Sequence, residues 1–139
     1  MMMTPEQSAL KAREQFEAQR DFVRRAAEDG QRIDAVERDV LRRLLSLGHT
    51  LFGGFVAAQG DGDLGPEAEA PGGRVVRRLP ERHGRRYVST FGELTGARVA
   101  YGTREGQSIE RVPLDERLGL PDGEFSYLLV SLRGSNARN

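Results

Sequence analysis

The sequence contains no cysteine, and only one of its 21 basic residues, Lys11, is a lysine. The absence of cysteine excludes disulfide bonds, thiolate zinc sites and cysteine nucleophiles, and it is typical of a protein of the reducing cytoplasm. No stretch approaches the roughly 18 apolar residues that a membrane span needs, and the N-terminal residues turn charged before any apolar run builds up. We therefore expect a cytoplasmic protein that is neither exported nor membrane-embedded.

The sequence also lacks an excess of charge of either sign, because 21 acidic residues match the 21 basic ones. A neutral chain has no net field that attracts a charged partner, so any electrostatic function must depend on local clusters. Residues 60–73 carry only acidic charges, whereas residues 74–86 carry six arginines against Glu81 alone. Arginine is suited to phosphate because its planar guanidinium group can donate two parallel hydrogen bonds.

Two helices are predicted in the first part of the chain, residues 1–59. The first begins with Thr4 as N-cap, Pro5 at the first helical position and Gln7 completing a capping box, and it ends near Asp29, before Gly30. A second capping box at Asp34 opens a helix that runs to about residue 58. Because only a few residues separate the two helices, we expect an antiparallel helical hairpin.

The second helix has a wide apolar stripe that the narrow stripe of the first helix cannot cover. The excess must pack on the rest of the chain, on a second copy or on another partner. We therefore predict a self-association surface formed by Val40, Leu44, Leu47, Leu51 and Phe55.

The remaining chain is predicted to be mainly β-structure. Residues 60–73 are rich in glycine, proline and acid, and we expect an acidic linker. Residues 74–117 contain short β-branched and aromatic runs between turn formers, which indicates an antiparallel meander of three or four strands. Residues 118–139 are interpreted as a truncated connector with a polar tail, in which an apolar helix starting at Phe125 stops abruptly near Val130. The predicted fold class is α+β.

Several short stretches match catalytic or metal-binding motifs, but each lacks the sequence context that the motif requires. The G-x-G-x-x-G match at residues 60–65 follows a helix instead of a strand, and its aspartates would repel a pyrophosphate. A calcium loop starting at Asp61 would need a glutamate where Gly72 stands. His49 and His83 lack a third ligand at metal-like spacing, and no base accompanies Ser89 or Thr90. The sequence thus predicts no cofactor and no metal site.

Several blocks follow one another between about residues 40 and 129: a helix ending in Q-G-D-G-D, the basic segment, R-R-Y-V-S-x-F-G-E, Y-G-x-R-E-G-Q, V-P-L-D-x-R-L-x-L-P and F-S-Y-L-L. In this order they resemble the N-terminal region of ISKra-type insertion-sequence transposases. The resemblance implies an RNase-H-like catalytic domain with two divalent metals beyond Leu129, and the departure at Val130 predicts that this chain is truncated before it. No catalytic carboxylate of the family carries over to this sequence.

The resemblance implies a non-enzymatic transposase fragment that binds double-stranded DNA at insertion-element ends, with a homodimer or a full-length transposase subunit as further partner. Arginines alternating with apolar residues can contact phosphates without reading base sequence, although the same pattern fits a solvated strand face. The predicted DNA-binding residues are Arg74, Arg77, Arg78, Arg82, Arg85, Arg86, Arg98, Arg104 and Arg111. Two alternatives are a protein interaction module that works through the helical hairpin and a decayed gene product without activity.

Overall fold

A computed structural model describes residues 3–103 and 109–137 of the chain. The chain forms two compact units, Met1–Ala58 and Gln59–Asn139. The first unit contains two long helices, and the second contains antiparallel strands with two further helices. The predicted α+β class is therefore confirmed. In the described part of the chain, no helix is both long and apolar enough to cross a membrane.

The first unit consists of helices α1 (Pro5–Asp29) and α2 (Ile33–Ala58). The predicted capping box of α1 is confirmed: the Thr4 hydroxyl accepts a hydrogen bond from the Gln7 backbone N–H at 3.1 Å, and the Gln7 side chain accepts one from the Thr4 N–H at 2.9 Å. Gly30 ends α1 with φ of 66°. The predicted cap of α2 is wrong: the helix begins at Ile33, two residues before the expected first helical residue Ala35, so Asp34 lies inside its first turn, where it pairs with Arg38 at 3.1 Å.

The seam between α1 and α2 is formed by small and polar residues. The buried residues are Ser8, Ala12, Ala26 and Thr50. Two glutamines of α1 extend this seam, because Gln15 donates to the Ser46 hydroxyl at 3.1 Å and Gln19 donates to the Arg43 carbonyl at 3.0 Å. Small seam residues allow helix backbones to approach closely, and this arrangement leaves the larger apolar side chains on the flanks.

The predicted apolar stripes are therefore only partly buried. In α1, Ala12 and Ala26 are buried as expected, but Phe16 and Val23 remain about half exposed. Among the predicted self-association residues of α2, Val40 and Leu47 are partly buried, whereas the other three keep more than half of their surface exposed: Leu44, Leu51 and Phe55.

The second unit contains two separate sheets. Its described elements are β1 (Glu67–Glu69), β2 (Val75–Arg78), β3 (His83–Ser89), β4 (Gly92–Arg98), β5 (Tyr101–Gly102), β6 (Ile109–Arg111), α3 (Pro113–Leu118) and α4 (Tyr127–Ala137). Strands β1, β2, β5 and β6 form one antiparallel sheet in that order, and β3 and β4 form a hairpin. The hairpin is thus inserted between two strands that pair with each other.

This topology differs from the simple meander predicted from the sequence. The run TGARVAYG is not one strand, because β4 ends at Arg98 and β5 begins at Tyr101. The two residues between them are buried and bond elsewhere: the Val99 N–H donates to the Asp61 carbonyl at 3.0 Å, and the Ala100 carbonyl accepts from the Leu79 N–H at 2.9 Å. Long-range backbone pairing of this kind leaves no local signature in sequence.

The segment 60–73, expected to be a linker, is built into the second unit and contains β1. Its anchor is Tyr101, which is fully buried in a small core with Ala70, Val76 and Val99. The Tyr101 hydroxyl accepts a hydrogen bond from the Leu64 N–H at 2.8 Å and donates one to the Gly65 carbonyl at 2.7 Å. The turn-forming residues therefore wrap around a distant tyrosine instead of spanning open solvent.

The C-terminal segment also differs from its prediction. The Val88 N–H donates to the Glu124 carbonyl at 2.7 Å, and the Ser126 N–H donates to the Val88 carbonyl at 2.9 Å, so this segment bridges to β3 in parallel. Helix α4 follows directly and continues to Ala137, well past the predicted stop near Val130. The hydroxyl of Ser126 accepts from the Leu129 N–H at 3.1 Å, which supplies an N-cap that the apolar pattern did not indicate.

Gly62 has little room for a side chain. Its φ is +80°, and an added Cβ would lie 2.8 Å from the backbone nitrogen of Leu114. We expect Gly62→Ala to destabilise the second unit by about 2–4 kcal/mol, because left-handed strain and a backbone overlap add together. The chain has no tryptophan and three tyrosines, all in the second unit, so tyrosine fluorescence during urea unfolding reports on this unit.

Gly60→Ala is the matched control, since Gly60 has φ of +74° but nothing within 4 Å of the added Cβ. It carries the strain without the overlap, and we expect a loss of only about 1 kcal/mol. Equal losses in the two variants would contradict the packing of the loop against α3.

Candidate nucleic-acid interface

The predicted DNA-binding arginines separate into two groups by exposure. Three have side chains that are at most one quarter exposed: Arg85, Arg98 and Arg111. Five are more exposed: Arg74, Arg77, Arg78, Arg82 and Arg86. Arg104 lies outside the described residues. The sequence grouped all of them on one face, whereas the fold gives the two groups different surroundings.

Arg85 and Arg98 share one carboxylate, that of Asp115 on α3. Arg85 donates to Asp115 Oδ2 at 3.0 Å, and Arg98 donates to the same oxygen. Arg85 also donates to the carbonyl oxygens of Pro121 and Gly123. These side chains are 14–22% exposed, so a phosphate that approaches from solvent would have to displace a largely buried ion pair.

Arg111 is also held by structural contacts. Its Nε bonds both carboxylate oxygens of Glu116 at 3.1 Å, and one of its terminal nitrogens donates to the Glu69 carbonyl at 3.1 Å. It therefore connects β6 to α3 and to β1. This group of three arginines stabilises the second unit from within.

The acidic residues of segment 60–73 neutralise part of the exposed group. Asp63 bonds Arg78 at 2.8 Å, and Asp61 pairs with Arg82 at 2.7 Å. The Gly65 backbone N–H donates to Asp63 at 2.9 Å, and this hydrogen bond, followed by the one from Arg78, lowers the pKa of the Asp63 carboxyl below its ordinary value. The contrast between an acidic segment and a basic one is therefore reduced by folding.

Two other arginines of the exposed group, Arg74 and Arg86, also form ion pairs. Arg74 pairs with Glu110, and Arg86 pairs with Glu93 at 2.8 Å and with Glu124 at 3.3 Å. Both pairs of Arg86 are exposed on each side, and exposed ion pairs are worth about 0–1 kcal/mol each, so a phosphate can replace these carboxylates at small cost. Glu110, the partner of Arg74, is only 20% exposed.

Arg77 differs from the others, because within residues 3–103 and 109–137 it forms no ion pair. On β2 it stands between Gly102 of β5, a residue without a side chain, and Glu67 of β1. Together with Arg78, His83, Glu81 and neighbouring residues it lines an open groove of about 520 Å³. Among the described residues, the Arg77 guanidinium group in this groove has no carboxylate at ion-pair distance, which leaves it available to an anion.

The other polar residues considered in the sequence have structural positions. The Ser89 hydroxyl donates to the Gly92 carbonyl at 2.8 Å and accepts from the Phe91 N–H at 3.1 Å, so it closes the β3–β4 turn. His49 lies in α2 and His83 in β3. Across the described ranges, no group of three or more histidine, aspartate or glutamate side chains is arranged to hold a metal ion.

Sequence reasoning missed two residues that organise this region, Tyr101 and Asp115. Their partners lie 15 or more residues away in the chain, beyond the reach of periodicity or capping rules. The one sequence feature that included both residues is the ordered set of blocks shared with the transposase family: Tyr101 is the first residue of Y-G-x-R-E-G-Q, and Asp115 is the last residue of V-P-L-D.

Comparison of the chain with protein-family models, with curated proteins and with solved structures finds no match.

We expect Asp115→Asn to lower the free energy of unfolding of the second unit by about 2–3 kcal/mol, because two largely buried guanidinium groups lose their shared counter-charge. The control is Asp122→Asn, which removes an exposed carboxylate in the following turn. Urea unfolding followed by tyrosine fluorescence compares the two, and an equal effect would show that the shared ion pair contributes nothing.

We expect the Asp63 carboxyl to titrate below pH 3.8, its ordinary value, in a carboxyl-detected NMR titration. Because the pKa is lowered in the folded state, the stabilisation by Asp63 is present above the ordinary value and is lost as the pH falls through the folded value. Arg78→Ala should raise this pKa only partly, since the Gly65 N–H remains the larger cause. Arg82→Ala should leave it unchanged, and a shift as large as that of Arg78→Ala would refute the assignment.

Proposed function

We propose that this chain is the non-catalytic N-terminal part of an ISKra-type DNA transposase, and that its second unit contacts the DNA backbone through exposed arginines. The ordered blocks between about residues 40 and 129 support the family assignment. The exposed arginines on and after β2 support the proposed contact with the DNA backbone. The main observation behind it is that Arg77 lies in an open groove.

Residues of the sequence blocks that support the family resemblance make structural contacts within the second unit. Asp61 and Asp63 of Q-G-D-G-D bond arginines, Ser89 of R-R-Y-V-S closes a turn, and Asp115 of V-P-L-D joins Arg85 to its surroundings. These roles position strands and loops; none of them assembles a nucleophile with a base. The resemblance is thus carried largely by residues that maintain the fold.

The proposed interface consists of Arg77, Arg82 and Arg86. Arg82 and Arg86 have side chains 61% and 50% exposed, and their partners Asp61 and Glu93 are 32% and 46% exposed. Since Gln59–Asn139 contains equal numbers of acidic and basic residues, DNA affinity depends on where the arginines stand and not on net charge. We therefore expect weak, sequence-independent and strongly salt-dependent binding.

The test is fluorescence anisotropy of a labelled DNA duplex of arbitrary sequence, titrated with the full chain at several salt concentrations. Three phosphate contacts predict a slope of log affinity against log salt of about −2.7. The combined variant Arg77→Gln, Arg82→Gln, Arg86→Gln should lose this slope and bind at least about tenfold more weakly, since each contact also supplies affinity. Arg85 and Arg98 are left intact because they hold the fold.

The matched control removes three exposed arginines of the first unit: Arg32→Gln, Arg38→Gln and Arg42→Gln. Their side chains are 87%, 75% and 72% exposed, and the net charge changes by the same amount. Equal loss in both variants would indicate non-specific attraction. Failure of the folded wild-type chain to bind at low salt would overturn the proposal and leave the hairpin interaction module or an inactive gene remnant.

A further inference from the structure

The large apolar side chains of the first unit are at best partly buried. The two helices bury Ser8, Ala12, Ala26 and Thr50. The partly buried large apolar residues are Phe22, Val36, Val40, Leu45, Leu47, Phe52 and Val56. A helix must bury an apolar stripe against a second layer to form a stable domain. A two-helix hairpin closed by such small side chains has only part of the core that it needs.

The large apolar side chains on the flanks lie on one side of the hairpin. Three directly follow a residue of the seam: Phe16 follows Gln15, Leu44 follows Arg43 and Leu51 follows Thr50. The fourth, Val23, follows Phe22, which also contacts the other helix because the Arg43 guanidinium lies 4.3 Å from its ring centroid. One step along a right-handed helix turns the side chain by about 100°. Because the helices are antiparallel, this turn moves the side chains of both helices toward the same side.

These four residues define an apolar face. Their exposed fractions are 51% for Phe16, 48% for Val23, 53% for Leu44 and 56% for Leu51. Within each helix the two residues are spaced by seven positions, which is the repeat of left-handed helix bundles. The apolar face therefore has the periodicity of a surface that packs against other helices.

The size of the face fits a stable dimer. Helices α1 and α2 have 25 and 26 residues, so each is about 38 Å long. With axes about 9 Å apart and each helix about 10 Å wide, one side of the pair is about 19 Å across and presents an area on the order of 700 Å², close to the roughly 800 Å² per partner of a standard interface. A second copy offers an identical face, and a two-fold axis makes such a face self-complementary.

We propose that the apolar faces of two copies pack together, so that two α1–α2 hairpins form a four-helix bundle. The interface contains Leu44 and Leu51, two of the residues in which the sequence predicted self-association, and adds Phe16 and Val23 from α1. The dimer supplies the missing second layer for both hairpins. It also presents two arginine-bearing units in one particle.

The first experiment measures the mass of the full chain in solution by sedimentation equilibrium from micromolar to hundred-micromolar concentration. We expect twice the chain mass of 15.4 kDa at the higher concentrations. Leu44→Gln with Leu51→Gln should raise the dissociation constant at least a hundredfold. Leu10→Gln is the control, because Leu10 is 58% exposed but lies on the side of α1 away from the face, and it should leave the dimer intact.

A second experiment does not depend on the folding of a polar variant. The chain has no cysteine, so Leu51→Cys introduces a unique thiol into the face and Leu10→Cys introduces one outside it. A short bifunctional thiol cross-linker should join two Leu51→Cys chains and leave Leu10→Cys chains single. The proposal would be overturned if the wild-type chain is monomeric and the Leu51→Cys chains do not cross-link. That result would indicate that another part of the chain covers the apolar face. Mass larger than a dimer that survives the Leu44 and Leu51 changes would overturn it as well.

Discussion

The shared ion pair of Asp115 with Arg85 and Arg98 is the constraint on which the second unit depends. An isolated two-stranded hairpin is marginally stable in water, and in the part of the chain that the structure describes, the further strand pairing of β3 and β4 is a short parallel bridge to residues 124–126. Arg85 comes from β3, Arg98 from the end of β4 and Asp115 from α3. One carboxylate therefore fixes both strands of the hairpin to a helix that follows later in the chain. The three charged side chains are only 14–22% exposed, so removing one of them would leave its partners largely buried without a counter-charge.

The same residue type serves two opposite purposes in this unit. Arg85, Arg98 and Arg111 act as internal connectors, whereas Arg77, Arg82 and Arg86 face solvent. Composition cannot separate them, because a guanidinium group has the same charge in either position. Burial and the identity of the acceptor do separate them. The acidic segment near β1 then acts as an internal counter-charge, so the apparent basic character of residues 74–86 overstates the field that a partner would meet.

Local rules predicted the parts of the fold that depend on local contacts. Thr4 and Gln7 identified the start of α1, Gly30 identified its end, and the β-branched runs placed β2, β3 and β4 in the correct region. The pairing of β2 with β5, the burial of Tyr101 beneath segment 60–73 and the cap at Ser126 depend on distant partners. For the candidate interface, the sequence indicated the arginines, but it did not indicate which of them would form internal ion pairs and which would remain exposed. For the hairpin, it indicated an uncovered stripe on α2 but not the contribution of Phe16 and Val23.

The insertion of one hairpin between two paired strands also orders the events by which the second unit assembles. Strand β2 can pair with β5 only after the intervening chain has brought its two ends together. Closing a long flexible loop costs conformational entropy, whereas a β-hairpin with a tight turn forms within about 1–10 μs. Once β3 and β4 are paired, the ends of that stretch lie next to each other, since His83 stands opposite Arg98. The hairpin thus shortens the effective distance across which the larger sheet must close. The topology implies a hierarchical folding route in which the inserted element forms first and the sheet that surrounds it in sequence forms last.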